Sequence, residues 1–261
     1  MKVEVIVPGI FLEGNLSEEE ASMLPPKEKL RLLSMVDILE PLSREEIKEL
    51  SLRVPDTYIE KGRIFYTPYE RAEALFMLKR GRVRIYRVSP EGKEFTLDVV
   101  GPGQVFGEMS LTAQHLENAY AEAMEPMVVC VLKREDLERL VMDKPQVGLK
   151  VMSVLSERLS RAEDRMEDMA LKEVPARLAS FILQLIESEG VVTSEGYKIP
   201  IRYTHRQLAA VVGSKRETVT KAFTLLQRAG AVELKRRRIH VKDLEALKSA
   251  ARQGPLPKPI P

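Results

Sequence analysis

One cysteine, Cys130, is all the thiol that this 261-residue chain carries. A single thiol cannot close an internal disulfide, and it cannot furnish an iron–sulfur cluster or a cysteine-rich zinc site. Histidine is nearly as scarce, with three in all, and only His115 precedes the midpoint. Neither a histidine metal cluster nor a pair of haem ligands is therefore expected there. Long apolar runs are missing too, since nothing approaches the ~18 residues of a transmembrane helix. The opening stretch "MKVEVIVPGIFLEG" has one basic residue and no small-residue cleavage site. No signal peptide is read in it, and a cytoplasmic location with no membrane partner is expected. Cys130 itself, inside "VVCVL", reads as a buried strand residue, because a redox-sensing thiol wants exposure and positive charge nearby.

What is present is a balanced composition, 44% hydrophobic and 31% charged, in a chain long enough for two domains with cores of their own. The net charge of +2 averages over an uneven distribution. Between Arg202 and Lys242 stand eleven lysines and arginines against only Glu217 and Glu233. A basic C-terminal part on a balanced protein points to a polyanionic partner.

The texture changes along the chain. Residues 1–26, with the acidic "LSEEEAS", read as an extension ending at "PP". In "LSREEIKELSLRV", Leu42 and Ser43 are placed to start a helix to which Ile47, Leu50 and Leu52 supply apolar contacts. From Thr57 to about Leu132, short apolar or alternating segments such as "RIFYT", "ALFMLKRGRVRIYRV", "KEFTLDVV" and "MVVCVL" are separated by glycine and proline turns. Short strands at that spacing imply an antiparallel sandwich or barrel of jelly-roll type, and residues 27–144 are assigned to it with flanking helices. A helix over 145–173 follows. In it Met152, Leu155, Leu159, Ala162, Met166 and Met169 recur at spacings of three and four among charged residues. That pattern is an a/d seam, and a second copy of the chain is the expected partner; packing on its own domain is the alternative. Residues 174–250 give a helix opened by Pro175 and closed by Gly190, a hairpin, a helix-turn-helix and a second hairpin. The end, 251–261, reads as a flexible tail.

The helix-turn-helix carries the function. Thr204 and Gln207 form a T-x-x-Q capping box for the first helix, whose buried side is Leu208, Ala209 and Val212. Gly213 permits the turn and Ser214 is placed to cap the second helix, with Val219, Ala222, Phe223 and Leu226 on its buried face. Arg216, Glu217, Thr220 and Lys221 then face outward from the first turns, where a helix in a major groove meets base edges. Arginine can bond guanine O6 and N7, and glutamate can accept from cytosine N4. Glu217 also stands three residues after Ser214, so a capping box is its alternative role. Thr204, Arg206, Ser214 and Lys215, with the run Lys235, Arg236, Arg237 and Arg238 at a hairpin tip, are candidates for phosphate contacts.

With these residues in place, the chain resembles transcription regulators of the cyclic-AMP receptor protein and fumarate–nitrate regulator (CRP/FNR) family, over about Leu30 to Val241. The resemblance rests on the glycine-punctuated β-roll, "GQVFGEMSL", the long helix and "GSKRETVTKAFTLL". It implies an α+β protein with an N-terminal cyclic-nucleotide-binding-like β-roll, a dimerisation helix and a C-terminal winged helix-turn-helix. In that family an Arg-Glu pair and a basic residue one turn later read a half-site resembling TGTGA, and Arg216, Glu217 and Lys221 stand at those positions. It also implies double-stranded DNA and a second copy of the chain as partners. RNA polymerase, contacted near Val191 to Lys198, is a third. The effector pocket of the resemblance maps onto Phe106, Gly107, Glu108, Met109, Ser110, Glu117, Asn118 and Ala119. Where cyclic-nucleotide binders carry an arginine that pairs with the cyclic phosphate, this chain has Glu117-Asn118-Ala119. A carboxylate facing a buried phosphate repels it. Ala162 and Glu163 likewise replace the small hydroxyl residues that meet adenine. Cyclic AMP is thus disfavoured, no cofactor is assigned, and an unidentified small molecule remains the alternative effector. A cupin-like enzyme lacks its metal-binding histidines or a nucleophile with a base, so no catalytic residue is assigned.

Overall fold

The computed structural model describes residues 25–66, 74–107, 119–235 and 238–252, so residues 1–24 of the N-terminal extension and 253–261 of the tail lie outside the described residues. The ends of both assignments shift, because Pro26 already opens the first helix, and Ala251 and Arg252, expected in a flexible tail, close the last helix with Ala251 buried in it. The chain divides into two compact units, the first formed mainly by residues up to Arg158 and the second mainly by those from Leu159 onward.

The first unit opens with helix α1 (Pro26–Leu33), a 3-10 turn (Asp37–Leu39) and α2 (Arg44–Arg53). Ser43 caps α2 in a complete box: its hydroxyl accepts from the Glu46 amide, and the Glu46 carboxylate accepts from the Ser43 amide at 2.8 Å. Ile47 is buried and Leu50 half-buried, but Leu52 is 82% exposed, so it falls off the apolar face expected for it. Eight strands follow among the described residues: β1 (Asp56–Ile59), β2 (Ile64–Tyr66), β3 (Ala74–Arg80), β4 (Val83–Val88), β5 (Glu94–Val100), β6 (Val105–Gly107), β7 (Tyr120–Ala123) and β8 (Met127–Lys133). They make two four-stranded sheets, ordered β1-β8-β3-β6 and β2-β7-β4-β5, in which β1 and β8, β8 and β3, β3 and β6, β2 and β7, and β7 and β4 run antiparallel.

Alternation sorts their side chains into two cores. Phe76, Leu78, Val129 and Val131 face one way and join Val83, Ile85, Ala119, Ala121 and Ala123. Phe65, Phe76 and Phe106 meet there, two rings stacked at 4.9 Å and the third edge-on to both at 5.2 and 5.0 Å. Such pairs add to the burial of three large apolar side chains. The residues between, Leu75, Met77, Cys130 and Leu132, face the other way. They pack under Leu33, Ile38, Leu39, Ile47 and helices α3 (Arg134–Asp143) and α4 (Pro145–Leu171) through Leu137, Val147, Val151 and Val154. Lys144 ends α3, and Pro145 at the start of α4 needs no amide donor there.

The second unit contains α5 (Val174–Glu189), β9 (Val191–Thr193), β10 (Gly196–Lys198), α6 (His205–Val211), α7 (Arg216–Arg228), β11 (Val232–Lys235), β12 (Arg238–Val241) and α8 (Leu244–Arg252). Pro175 sits in the first turn of α5, and Gly190 closes that helix. Both hairpins join one sheet, ordered β11-β12-β10-β9. Its inward residues Val232, Ile239 and Val241 are buried, as are Leu178 and Ile182 on α5 and Phe223 and Leu226 on α7. None of the helices among the described residues is long and apolar enough to cross a membrane.

Candidate nucleic-acid interface

The helix-turn-helix is α6 followed by α7. Thr204 caps α6 through the box expected from its spacing: its hydroxyl accepts from the Gln207 amide at 3.2 Å, and the Gln207 carboxamide accepts from the Thr204 amide at 2.9 Å. Leu208, Ala209 and Val212 are buried beneath it. The turn hinges on Gly213, whose φ of +62° is a conformation that costs glycine little and other residues more.

The start of α7 corrects one expectation. The chain leaves the turn with the Ser214 amide donating 2.9 Å back to the Ala209 carbonyl, so Ser214 belongs to the turn, one residue before the position that caps the helix. The capping position is Lys215, which offers no side-chain acceptor, and the helix begins at Arg216. Glu217 therefore occupies the second helical position, outside any capping box, and complements the helix dipole from its first turn. Behind it, Val219, Ala222, Phe223 and Leu226 are buried. In front, Arg216, Glu217, Thr220 and Lys221 are all exposed.

Thr220 differs from the other three. Its hydroxyl donates to the Arg216 carbonyl at 2.9 Å and lies 2.8 Å from His205 Nδ1 at the start of α6. Its polar atom is thus engaged within the protein. The contact of His205 with Thr220 is one that sequence reasoning missed. His205 stands fifteen positions from Thr220, and the two meet only once α6 and α7 have packed.

Among the candidates for phosphate contacts, Thr204, Arg206 and Lys215 are exposed, Ser214 is half-buried, and Arg236 and Arg237 lie outside the described residues. Arg238 donates from Nε to the Pro200 carbonyl at 2.9 Å. Lys235, at the end of β11, is held by carboxylates: its ammonium lies 3.1 Å from Glu195 and 3.3 Å from Glu233. Glu195 also accepts from Lys242. These two hydrogen bonds, the one from Lys242 foremost, hold the Glu195 carboxyl at about 2. His240 lies opposite Glu233 and Lys198 in the sheet. Burial, then Lys235 and Lys198, lower its affinity for a proton.

The residues assigned to an effector pocket divide. Phe106 and Ala119 are fully buried in the interior of the roll. Gly107 crosses β3 so closely that a β-carbon would stand 2.5 Å from the Ala74 carbonyl, at a φ of +107°, so this glycine has a structural reason of its own. Glu108, Met109, Ser110, Glu117 and Asn118 lie outside the described residues, as does His115. The expected seam divides as well. Met152, Leu159 and Met166, seven residues apart on α4, are 58%, 60% and 63% exposed. Ala162 is exposed beside them and Met169 is half-buried. Leu155 instead packs on the core of its own unit.

Comparison with known proteins agrees with this architecture. Residues 57–144 match the cyclic nucleotide-binding domain, and residues 176–250 match the Crp-like helix-turn-helix domain. The chain is 36% identical over 185 residues to the transcriptional regulator SdrP of Thermus thermophilus, covering 70% of this chain and 85% of that one. It is 30% identical over 191 residues to the cyclic AMP receptor protein of the same organism, covering 73% and 85%. The solved structure of a CooA mutant from Carboxydothermus hydrogenoformans superposes with a TM-score of 0.69 at 25% identity, over 83% of this chain and 95% of that one. A β-roll joined by a long helix to a winged helix-turn-helix, with relatives that are regulators and not enzymes, places the chain in the CRP/FNR family of DNA-binding transcription regulators.

Proposed function

We propose that the protein acts as a homodimer whose paired α7 helices read a palindromic, TGTGA-like site with half-sites about 34 Å apart, one turn of duplex. Arg216, Glu217 and Lys221 specify bases in this reading, Thr220 contributes its methyl group, and Thr204, Arg206, Ser214, Lys215 and the wing hold phosphates. The observation that carries it is the first two turns of α7: three exposed charged side chains stand on a helix whose back is buried, and none of them is spent on a cap. The exposed heptad row of Met152, Leu159 and Met166 supports pairing through α4, since an apolar stripe of that spacing suits a second helix. Val191 and Val192, exposed on the edge strand β9, support contact between this hairpin and RNA polymerase.

The reading further holds that cyclic AMP is not required. Glu117 in place of a phosphate-pairing arginine supports it, as does the buried cluster of three phenylalanine rings inside the roll. Selection of bound sequences from a random duplex library at fixed salt, with no added ligand, tests both parts. The expected result is a palindrome with G and C at the Arg216 and Glu217 positions, blurred by Arg216→Ala, which should cost about 1–3 kcal/mol on the cognate base. An asymmetric motif would overturn the dimer. A motif recovered only after small-molecule extract is added would replace ligand independence by gating.

A further inference from the structure

The β9–β10 turn and the wing meet on one sheet, and four charges gather where they do. Lys235 lies 3.1 Å from Glu195 and 3.3 Å from Glu233, while Lys242 bonds Glu195 and lies 3.6 Å from Glu233. We infer that Glu195, together with Glu233, is an internal counter-anion for the wing lysines, which sets how tightly the protein holds DNA of any sequence. The inference rests on the reading of the wing as a phosphate-contacting surface.

The salt-dependent part of DNA affinity follows the net charge that a protein brings into the field of the duplex, through the counterions released. Two ammonium groups and two carboxylates bring none. If Lys235 turns from Glu195 to a phosphate oxygen, it exchanges one charge-assisted acceptor for another of the same kind, with little gain. The duplex then sheds a condensed cation. The carboxylates left behind remain within the ~8–10 Å Debye length of that phosphate and retain a cation beside it, so the count nearly cancels. Glu195 stays ionised throughout the neutral range, its carboxyl being held at about 2 by the two lysines. Arg216, Glu217 and Lys221 on α7 are not part of this network, so base preference is untouched by it.

The test is equilibrium binding by fluorescence anisotropy between about 50 and 200 mM salt, the range over which phosphate contacts change affinity most visibly. Wild type, Glu195→Gln, the pair Glu195→Gln/Glu233→Gln, and Lys235→Gln in the wild-type and paired backgrounds would each be titrated onto the selected site and onto a random duplex. Glutamine keeps the shape and an acceptor oxygen while removing the charge. The paired variant is expected to steepen the plot of log K against log salt by about 1–2, at about 0.9 for each lysine set free. It should tighten both duplexes by the same factor, with Glu195→Gln intermediate. Lys235→Gln should change the wild-type slope little and withdraw about 0.9 in the paired background. Equal slopes for wild type and the paired variant, or an equal effect of Lys235→Gln in both backgrounds, would overturn the inference. Failure of wild type to bind any duplex at the low-salt end would instead overturn the DNA-binding reading, and the inference with it.

Discussion

A large single-site cost to stability is expected for Asp56→Asn. The Lys79 side chain is 0% exposed and its ammonium lies 2.6 Å from Asp56 Oδ1, the pair sitting between the β1-β8-β3-β6 sheet and the helices over it. The other oxygen within reach, the Lys29 carbonyl, is 3.5 Å away, too long to replace the carboxylate. The same Oδ1 accepts from the Cys130 thiol at 2.9 Å, because the β1–β8 register sets Asp56 opposite Cys130. Asparagine keeps the shape and removes the charge, leaving an ammonium in the interior with no counter-charge. Breaking a buried pair from one side costs about 3–5 kcal/mol, and the 12% exposure of the Asp56 side chain places this case near the lower figure.

The double variant Asp56→Asn/Lys79→Met is what makes the argument refutable. It removes both charges and fills the space with an apolar chain, so it is expected to lie within about 1 kcal/mol of wild type, since such replacements are often neutral or stabilising. Lys79→Met alone leaves a carboxylate that still accepts from Cys130 and touches solvent, and should cost about 1–2 kcal/mol. Urea unfolding followed by circular dichroism gives the four stabilities, with unchanged m-values as the sign that only stability has moved. The coupling energy follows from the cycle. If Asp56→Asn costs under about 1 kcal/mol, or if the double variant is no more stable than Asp56→Asn, then Asp56 does not neutralise Lys79 and the reasoning fails.

Three further outcomes are expected. Thr204→Ala should cost about 1 kcal/mol in thermal or urea unfolding of the second unit, whereas Ser214→Ala, outside any cap, should cost a few tenths at most; equal losses would restore Ser214 as a cap. Cys130 is fully buried, and burial foremost, then its hydrogen bond to Asp56, pushes its thiol up to about 12. Aromatic disulfide reagents at pH 8 should therefore label it only after denaturant is added, and rapid labelling of the native protein would reopen a redox role. Glu46 accepts from the Lys144 ammonium and from the Ser43 amide, in that order of effect, and its carboxyl is held at about 2. Its folded value lies below the unfolded one, so the stability it lends is complete above about pH 4.5 and is lost as pH falls toward 2. Lys144→Met should flatten the acid limb of the stability–pH curve, and an unchanged limb would show that the pair contributes nothing.

What could be read from the sequence was what neighbours in the chain decide among themselves. The box at Thr204 and Gln207, the turn at Gly213, the buried face of α7 and the heptad row of α4 are each set within a few residues, and periodicity exposes them. Strands β6 and β7 are three and four residues long, and β7 turns inward only alanines, so their pattern was too faint to stand out. Ser214 misled because its spacing from Glu217 fits a cap, while the turn that its amide closes onto Ala209 runs one residue further and leaves Lys215 at the capping position. Leu155 fits the seam by period, yet the same face of α4 also has to cover its own core.

For the charged surface, a count over consecutive residues is not a count over a patch. Eleven basic residues against two acidic ones, from Arg202 to Lys242, describe a stretch of chain. The wing those residues build faces Glu195, which lies outside that stretch and forty positions from Lys235. Pairing β10 with β12 brings it back. Part of the positive charge counted along that stretch is therefore already paired with carboxylates within the protein. The salt slope should report the net charge of that patch, below what its lysines alone would give.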